Sequence, residues 1–357
     1  MTQRQPDVVV PNRKKGGTMK AIVLEKVSVV EEKPLKLAEV PVPVPGPGQI
    51  LVKVSACGVC HTELDEIEGR VSPLRIPMVL GHEIVGRVAG LGLGASKFQE
   101  GDRVGIAWIN WACDKCSFCL KDQENLCDTA KWTGKDVQGG YAQYTVVSED
   151  FAYPIPERFS DVKAAPLLCA GVIGYRALRL SGMEDGKVLG LYGFGASAHI
   201  VIQVAKYKYP GGKVFVFSRP QQREHHDLAR KLGADWIGAA GDTPPAKLNY
   251  AIDFTPIGES VREALKNLQK GGRVVINAIR KATSIPELDY TEHLWHEKEV
   301  KSVANVTRKD AQEFLPLAAE IPIIPETQEF ELAEANEALI LLKEGKIRGA
   351  GVLRITE

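Results

Sequence analysis

The sequence has no net charge. Its 45 Lys and Arg are balanced by 45 Asp and Glu over 357 residues. A basic footprint for nucleic acid is therefore missing at the level of the whole chain. No apolar run approaches the roughly 20 residues of a membrane span, and mean hydropathy is −0.11. Residues 1–18 are polar, carry Arg4, Arg13, Lys14 and Lys15, and lack the apolar stretch of a secretory signal. They read as a disordered extension, with Met19-Lys20-Ala21 as a second start. Internal repeats and low-complexity tracts are also missing. These absences argue against nucleic-acid and membrane partners and point to a cytoplasmic protein. At roughly 150 residues per domain the length suggests two domains. With 44% hydrophobic residues, such a chain fills its cores without disulfide staples.

What is present starts with seven cysteines, four of them packed into Cys113-x2-Cys116-x2-Cys119-x7-Cys127. An odd, clustered set argues against a disulfide framework and for metal binding in a reducing compartment. Four thiolates surround one zinc ion tetrahedrally and fill every position, as a structural site requires. A ferredoxin-type iron–sulfur run needs its fourth Cys after three residues, followed by Pro. Here seven residues intervene and Asp128 follows, which favours zinc.

The pattern along the chain divides it into parts. Residues 19–170 are β-rich, with strands predicted at Met19–Leu24, Ile50–Ala56, Glu83–Val88, Arg103–Ala107 and Tyr141–Val147. Residues 171–307 alternate strand and helix, which implies βαβ units on a parallel sheet. Strands are expected at Lys187–Tyr192, Lys213–Phe217, Tyr250–Phe254 and Arg273–Ala278. Helices are expected at Ala196–Lys206, at Arg223–Leu232 and at Glu259–Leu268, the last ending at Gly271-Gly272. Residues 308–357 hold a helix (Asp310–Ala319) and a strand-like tail (Ala350–Ile355), too short to stand alone.

Gly193-Phe194-Gly195-Ala196-Ser197-Ala198 follows a strand and opens a helix. It fits G-x-G-x-x-G/A, in which glycines let a pyrophosphate approach backbone N–H groups at a helix N-terminus. The next strand ends in Ser218-Arg219-Pro220, and the first later acid is Glu224. NAD sites place a carboxylate at that strand end for the ribose 2′-hydroxyl. A serine and an arginine suit a 2′-phosphate instead, so NADP is expected over NAD. The alternative is that Arg219 stacks on adenine or faces solvent while NAD binds.

Cys60, His82-Glu83 and Cys169 are scattered. Two Cys and one His form a three-ligand zinc site with an open position, the catalytic arrangement. Spacing alone does not assemble them. Taken singly, Cys169 reads as a small core residue and His82 as a hydrogen-bonded histidine. Cys57 reads as packing, and His225-His226 as a solvated helix face. His293 and His296 give no clear signal. Trp108 and Trp111, just before the four-Cys segment, are candidates for a pocket wall or for structure.

Several motifs together resemble the zinc-dependent alcohol dehydrogenases of the medium-chain dehydrogenase/reductase superfamily. They are Cys-Gly-Val-Cys-His-Thr-Glu-Leu (57–64), Gly-His-Glu-Ile-Val-Gly (81–86), the four-Cys segment, Gln-Gly-Gly-Tyr-Ala-Gln-Tyr (138–144), Leu-Leu-Cys-Ala-Gly (167–171) and the glycine loop. The resemblance runs from Met19 onward and implies an α/β architecture: a GroES-like β-rich catalytic domain plus a Rossmann doubly wound parallel sheet. The C-terminal segment is then expected to return to the catalytic domain.

The resemblance also implies roles. Cys60, His82 and Cys169 match the catalytic zinc ligands, and Glu83 the carboxylate that replaces a leaving ligand. Cys113, Cys116, Cys119 and Cys127 match the structural zinc set, giving two zinc ions per chain. Thr62 matches the hydroxyl that takes the alcohol proton, and His61 a basic group beside the cofactor pyrophosphate. Gly193, Gly195, Ala196 and Ala198 match the dinucleotide loop, with Ser218 and Arg219 at the ribose. The substrate is then a small alcohol or aldehyde, and the assembly a homodimer or homotetramer.

Three positions depart from the pattern. Glu63 stands for the usual Asp, which puts the geometry behind the ligands in question. Asp65 stands for a His that ends the proton relay, leaving Asp65 or water as the outward path. Ala350 stands for an Arg to the pyrophosphate. Two alternatives accompany the main reading: a polyol or secondary-alcohol dehydrogenase, and an inactive dinucleotide-binding or redox-sensing protein.

Overall fold

The computed structural model describes residues 17–321 and 323–356. Strand Gln49–Val59 lies at the heart of a seven-stranded sheet. Its Ile50, Val52, Val54 and Ala56 alternate inward and are almost fully buried, the period expected of a pleated strand with one face on a core. It pairs antiparallel with Ile84–Leu91 along one edge. The other edge is shared. Tyr144–Ser148 covers its first half, from Gln49↔Ser148 to Lys53↔Tyr144. Ala350–Arg354 covers its second half, from Ala56↔Arg354 to Val59↔Gly351. Thr327–Glu331 then adds in parallel to Ala350–Arg354. The last strands of the chain are thus built into the sheet of the first domain.

The second sheet has six strands, all parallel. In spatial order they are Trp236–Gly238, Lys213–Phe217, Val188–Tyr192, Leu248–Asp253, Leu268–Ile276 and Glu299–Ser302. Numbered by sequence within the domain this is 3-2-1-4-5-6, the Rossmann order. The order reverses between Val188–Tyr192 and Leu248–Asp253. A crevice beyond the carboxyl ends of those strands is where such sheets bind ligands. The chain is therefore α/β, a β-rich domain plus a Rossmann sheet. Among the described residues no helix is long and apolar enough to cross a membrane.

Several boundaries differ from the sequence reading. Thr18 already belongs to strand Thr18–Leu24, and the Gly17 carbonyl accepts the Val42 N–H at 2.9 Å. The expected disordered extension therefore cannot include residues 17 and 18, and residues 1–16 lie outside the described residues. The strand predicted at Tyr141–Val147 is Tyr144–Ser148. Tyr141 instead fills a buried slot against Gly81, a position whose φ of 93° no side chain adopts readily. The helix expected to end at Gly271-Gly272 stops at Asn267, and strand Leu268–Ile276 runs through both glycines. Leu268 is drawn into that strand because it is buried opposite Leu248. Helix Ala198–Lys208 starts two residues late, after the glycine turn.

One buried histidine joins the two domains. His199, on helix Ala198–Lys208, accepts the Glu326 N–H on Nε2 at 3.3 Å. The ring proton therefore sits on Nδ1, 3.2 Å from the Gly195 carbonyl. Burial holds this imidazole at about 4, below its ordinary 6.5. The neutral form is native, so its stabilisation is complete above 6.5 and declines as pH falls from there toward 4. The loss is on the order of 3 kcal/mol at most. In urea unfolding compared at neutral pH and at about pH 5, His199→Gln is expected to lose less stability on acidification than the native protein. Equal losses would show that this ring does not titrate with folding.

Candidate active site

The first metal-ligand group is set up by a helix start. Cys60 is the N-cap of helix His61–Ile67, and Glu63 occupies the third helical position. The Cys60 N–H donates to Glu63 Oε2 at 2.8 Å, half of a capping box. The other oxygen, Oε1, lies 2.5 Å from His82 Nδ1. One carboxylate therefore orients two candidate ligands. With Nδ1 engaged, His82 Nε2 is the free nitrogen, and it is buried with no hydrogen-bond partner. Cys60 Sγ, Cys169 Sγ, a Glu83 oxygen and a His82 nitrogen lie within 4.8 Å of one another.

The electrostatics also fit a cation. Burial pushes the Glu63, Glu66 and Glu83 carboxyls upward, and each also feels the negative charge of Cys60. Burial opposes a charge on His82, but the adjacent Glu63 outweighs it and lifts the imidazole well above its usual range. Cys60 is drawn well below the usual thiol range by the hydrogen bond from Cys169, despite burial. Buried carboxyls that resist ionisation, a thiolate and an orphaned imidazole nitrogen are what a divalent ion stabilises and satisfies. The donor set, two sulfurs and one imidazole with a carboxylate beside them, suits zinc.

Close packing fixes the walls. A Cβ at Gly58 would overlap the Glu83 carboxylate, so only glycine leaves that side chain its place. Thr62 Oγ1 lies 3.7 Å from Cys60 Sγ, buried beside the cluster. Trp108 sits over it, its ring 5.9 Å from that of His82 and 5.0 Å from that of Trp132. Trp111 turns outward under the Lys131 ammonium and does not join this wall.

The four-Cys segment closes on itself. Cys116 Sγ lies 3.5 Å and Cys113 Sγ 3.8 Å from Cys119 Sγ, and all four sulfurs are within 4.8 Å. A tetrahedron of Zn–S bonds has edges of about 3.8 Å, whereas a disulfide needs about 2.05 Å. All seven cysteines are free. The segment is docked on the rest of the molecule by Glu124, which accepts the Arg308 N–H at 2.7 Å, and by Asn125, whose Nδ2 donates to the Ala304 carbonyl at 2.6 Å.

The glycine loop lies on the Rossmann side. Gly193 adopts a φ of 86° and donates to the Phe217 carbonyl at 2.7 Å. Gly195 is exposed, and a Cβ there would meet nothing within 4 Å, which leaves open space above the turn. Ala196 and Ala198 follow at the helix start, and Ser197 Oγ donates to the Ala170 carbonyl at 2.7 Å. The loop is thereby tied to the residue after Cys169. At the end of strand Lys213–Phe217, Ser218 Oγ is buried without a partner and Arg219 is exposed. His61 is exposed at the start of its helix. His225 and His226 are half-buried, each with one buried unpartnered nitrogen, rather than on a fully solvated face.

The sequence reading missed the clamp made by Glu63, although the Cys-x-x-Glu spacing of a capping box was its signal. It also missed Trp132, which reaches Trp108 from a separate strand and carries no local signal.

Residues 46–157 match the family model of the alcohol dehydrogenase GroES-like domain. A probable alcohol dehydrogenase, AdhA, of Mycobacterium tuberculosis is 43% identical over 344 residues, covering 95% of this chain and 98% of that protein. An alcohol dehydrogenase of Geobacillus stearothermophilus is 36% identical over 93% of this chain and 99% of its own length. Among solved structures, a cinnamyl alcohol dehydrogenase from Sorghum bicolor superposes with a TM-score of 0.84 at 28% identity, covering 95% of this chain and 98% of its own.

Two glycines should respond oppositely to alanine. Gly58→Ala forces Glu83 aside and is expected to cost about 1–3 kcal/mol in thermal or urea unfolding. Gly195→Ala has room and should stay within about 0.5 kcal/mol of the native protein. If the turn holds a dinucleotide, the added methyl is expected to fill the space above it and weaken that binding. Equal stability losses would mean that the packing around Glu83 is not the constraint described.

Proposed function

Because the chain belongs to the zinc-dependent alcohol dehydrogenases of the medium-chain dehydrogenase/reductase superfamily, we propose that Cys60, His82 and Cys169 hold a catalytic zinc, with Glu83 as an exchangeable fourth group. Alcohol dehydrogenase activity follows from the family and sets aside an inactive dinucleotide-binding or redox-sensing role. The observation that carries the site assignment is the buried cluster with the orphaned His82 Nε2 and Thr62 beside it. Cys113, Cys116, Cys119 and Cys127 hold a second, structural zinc in this reading. The homodimeric or homotetrameric state and the cytoplasmic location are part of the same proposal.

When bound, zinc acts as a Lewis acid on the substrate oxygen and the nicotinamide carries the hydride. The chain's own residues do the rest. Glu63 keeps the Cys60 thiolate and His82 Nε2 aimed at one point. Thr62 Oγ1 accepts the hydroxyl proton of the alcohol while its own proton passes to water, and the reverse direction runs the same relay backwards. Gly193, Gly195, Ala196 and Ala198 leave backbone N–H groups open to the pyrophosphate, and His61 adds a basic group near it. The Trp108–Trp132 pair supplies an apolar, aromatic wall. That wall favours primary alcohols and aldehydes with apolar or aryl groups over polyols, whose extra hydroxyls would lose their hydrogen bonds there.

For the coenzyme we infer NADP over NAD. The unpartnered Ser218 hydroxyl and the Arg219 guanidinium stand where an acid would repel a 2′-phosphate. The test is benzaldehyde reduction with NADPH and with NADH, in the native protein and in Arg219→Ala. Native turnover should favour NADPH. The variant should bind NADPH about tenfold or more weakly, with little change for NADH. Turnover favouring NADH, or equal weakening for both coenzymes, would overturn the 2′-phosphate assignment.

A further inference from the structure

Asp65 departs from the family pattern, and its surroundings give it a different task. Its side chain is 5% exposed, and Oδ1 accepts Arg70 Nε at 2.5 Å and Arg280 Nε at 2.9 Å. Arg70 follows in the same domain and also pairs with Glu68. Arg280 comes from the Rossmann domain, 215 residues further along the chain. The pair therefore crosses the gap between the domains.

Both ends of this pair sit on rigid supports. Asp65 lies on helix His61–Ile67, which begins at Cys60 and carries Thr62 and Glu63. Any roll of that helix moves the thiolate, the hydroxyl and the carboxylate clamp together. Arg280 follows strand Leu268–Ile276, at its carboxyl end. The loop around it is pinned to the neighbouring strand end: the Asn277 N–H donates to the Asp253 carbonyl at 2.8 Å, and Lys281 Nζ to the Thr255 carbonyl at 2.6 Å. Lys281 also pairs with the buried Asp253 carboxylate. The Ala282 N–H donates to the Pro256 carbonyl at 2.7 Å. This is the side of the sheet on which a dinucleotide binds.

We propose that Arg280 and Asp65 form a positioning latch that registers the coenzyme-side loop of the Rossmann domain against the helix bearing Cys60 and Thr62. It rests on the alcohol dehydrogenase reading and deepens it. Asp65 is then a fixed anion holding two guanidinium groups, not the outward end of the proton path. Hydride transfer depends steeply on the separation of donor and acceptor. An ion pair that sets the distance between the two domains' elements acts on it without touching substrate.

The test compares Arg280→Gln, Asp65→Asn and the double variant. Coenzyme Kd is read from tryptophan fluorescence, with kcat, KM and the pH profile of kcat alongside. Each single variant should weaken coenzyme binding about tenfold and lower kcat, and the double should be no worse than either single. The pH profile should keep its midpoint, and Arg280→Lys should restore part of the loss. Should Asp65→Asn fail to fold with Arg280 left without its partner, Arg280→Gln alone still decides. Native coenzyme affinity and kcat in Arg280→Gln would overturn the latch. So would a shifted pH profile confined to Asp65→Asn, which would make Asp65 a proton carrier. A native protein that turns over no alcohol but shows the paired Kd shifts would count against the enzymatic reading and for the latch.

Discussion

The carboxylate of Glu63 is the constraint on which the candidate metal-ligand cluster rests. It accepts the Cys60 N–H on one oxygen and faces His82 Nδ1 with the other. A histidine whose Nδ1 is engaged presents Nε2, and a cysteine whose backbone is capped presents Sγ in a fixed direction. Groups behind metal ligands set their orientation and basicity in this way. The extra methylene of Glu over Asp does not break the arrangement, because Glu63 stands at the third position of the helix and reaches back to its N-cap. Without that contact, two of the three candidate ligands would be free to rotate in a buried, anionic pocket.

The remaining architecture brings distant chain segments to this clamp. Strand Gln49–Val59 delivers Cys60, and its second half is covered by the strand Ala350–Arg354 near the far end of the chain. Cys169 ends the β-rich part, and the next carbonyl, Ala170, accepts Ser197 Oγ from the glycine turn. His199 links the same turn to Glu326. The four-Cys segment contributes a further joint. Glu124 and Asn125 dock it on residues 304–308, beside Arg176 and Asp310, which pair at 2.6 Å. A closed metal site on that segment would stiffen a boundary between domains rather than a solvent loop.

Much of this was legible in local pattern. The parallel sheet showed itself in alternating apolar strands and helices, and the glycine turn in its spacing, because both are short-range properties of the chain. The four cysteines declared themselves by density alone. The dispersed ligands did not, since Cys60, His82 and Cys169 meet only through sheet topology, and resemblance to a family was needed to group them. Helix His61–Ile67 escaped the periodicity reading because seven residues make under two turns and nearly all are buried. Gly271-Gly272 mimics a helix stop, whereas burial of Leu268 against Leu248 places both glycines within strand Leu268–Ile276. Asp65 could be seen to depart from the family, but its partner Arg280 lies too far along the chain for any sequence window to show.

We propose that this fold holds two chemically different zinc sites, one closed and one serving the reaction. Elemental zinc per folded chain, measured for the native protein and for Cys60→Ser and Cys116→Ser, tests it most directly. The native protein should hold two zinc ions. Cys60→Ser should keep one, lose turnover and remain folded, whereas Cys116→Ser should lose the other together with much of its thermal stability. A native protein with a single zinc, or a Cys60→Ser variant that unfolds while Cys116→Ser does not, would contradict it.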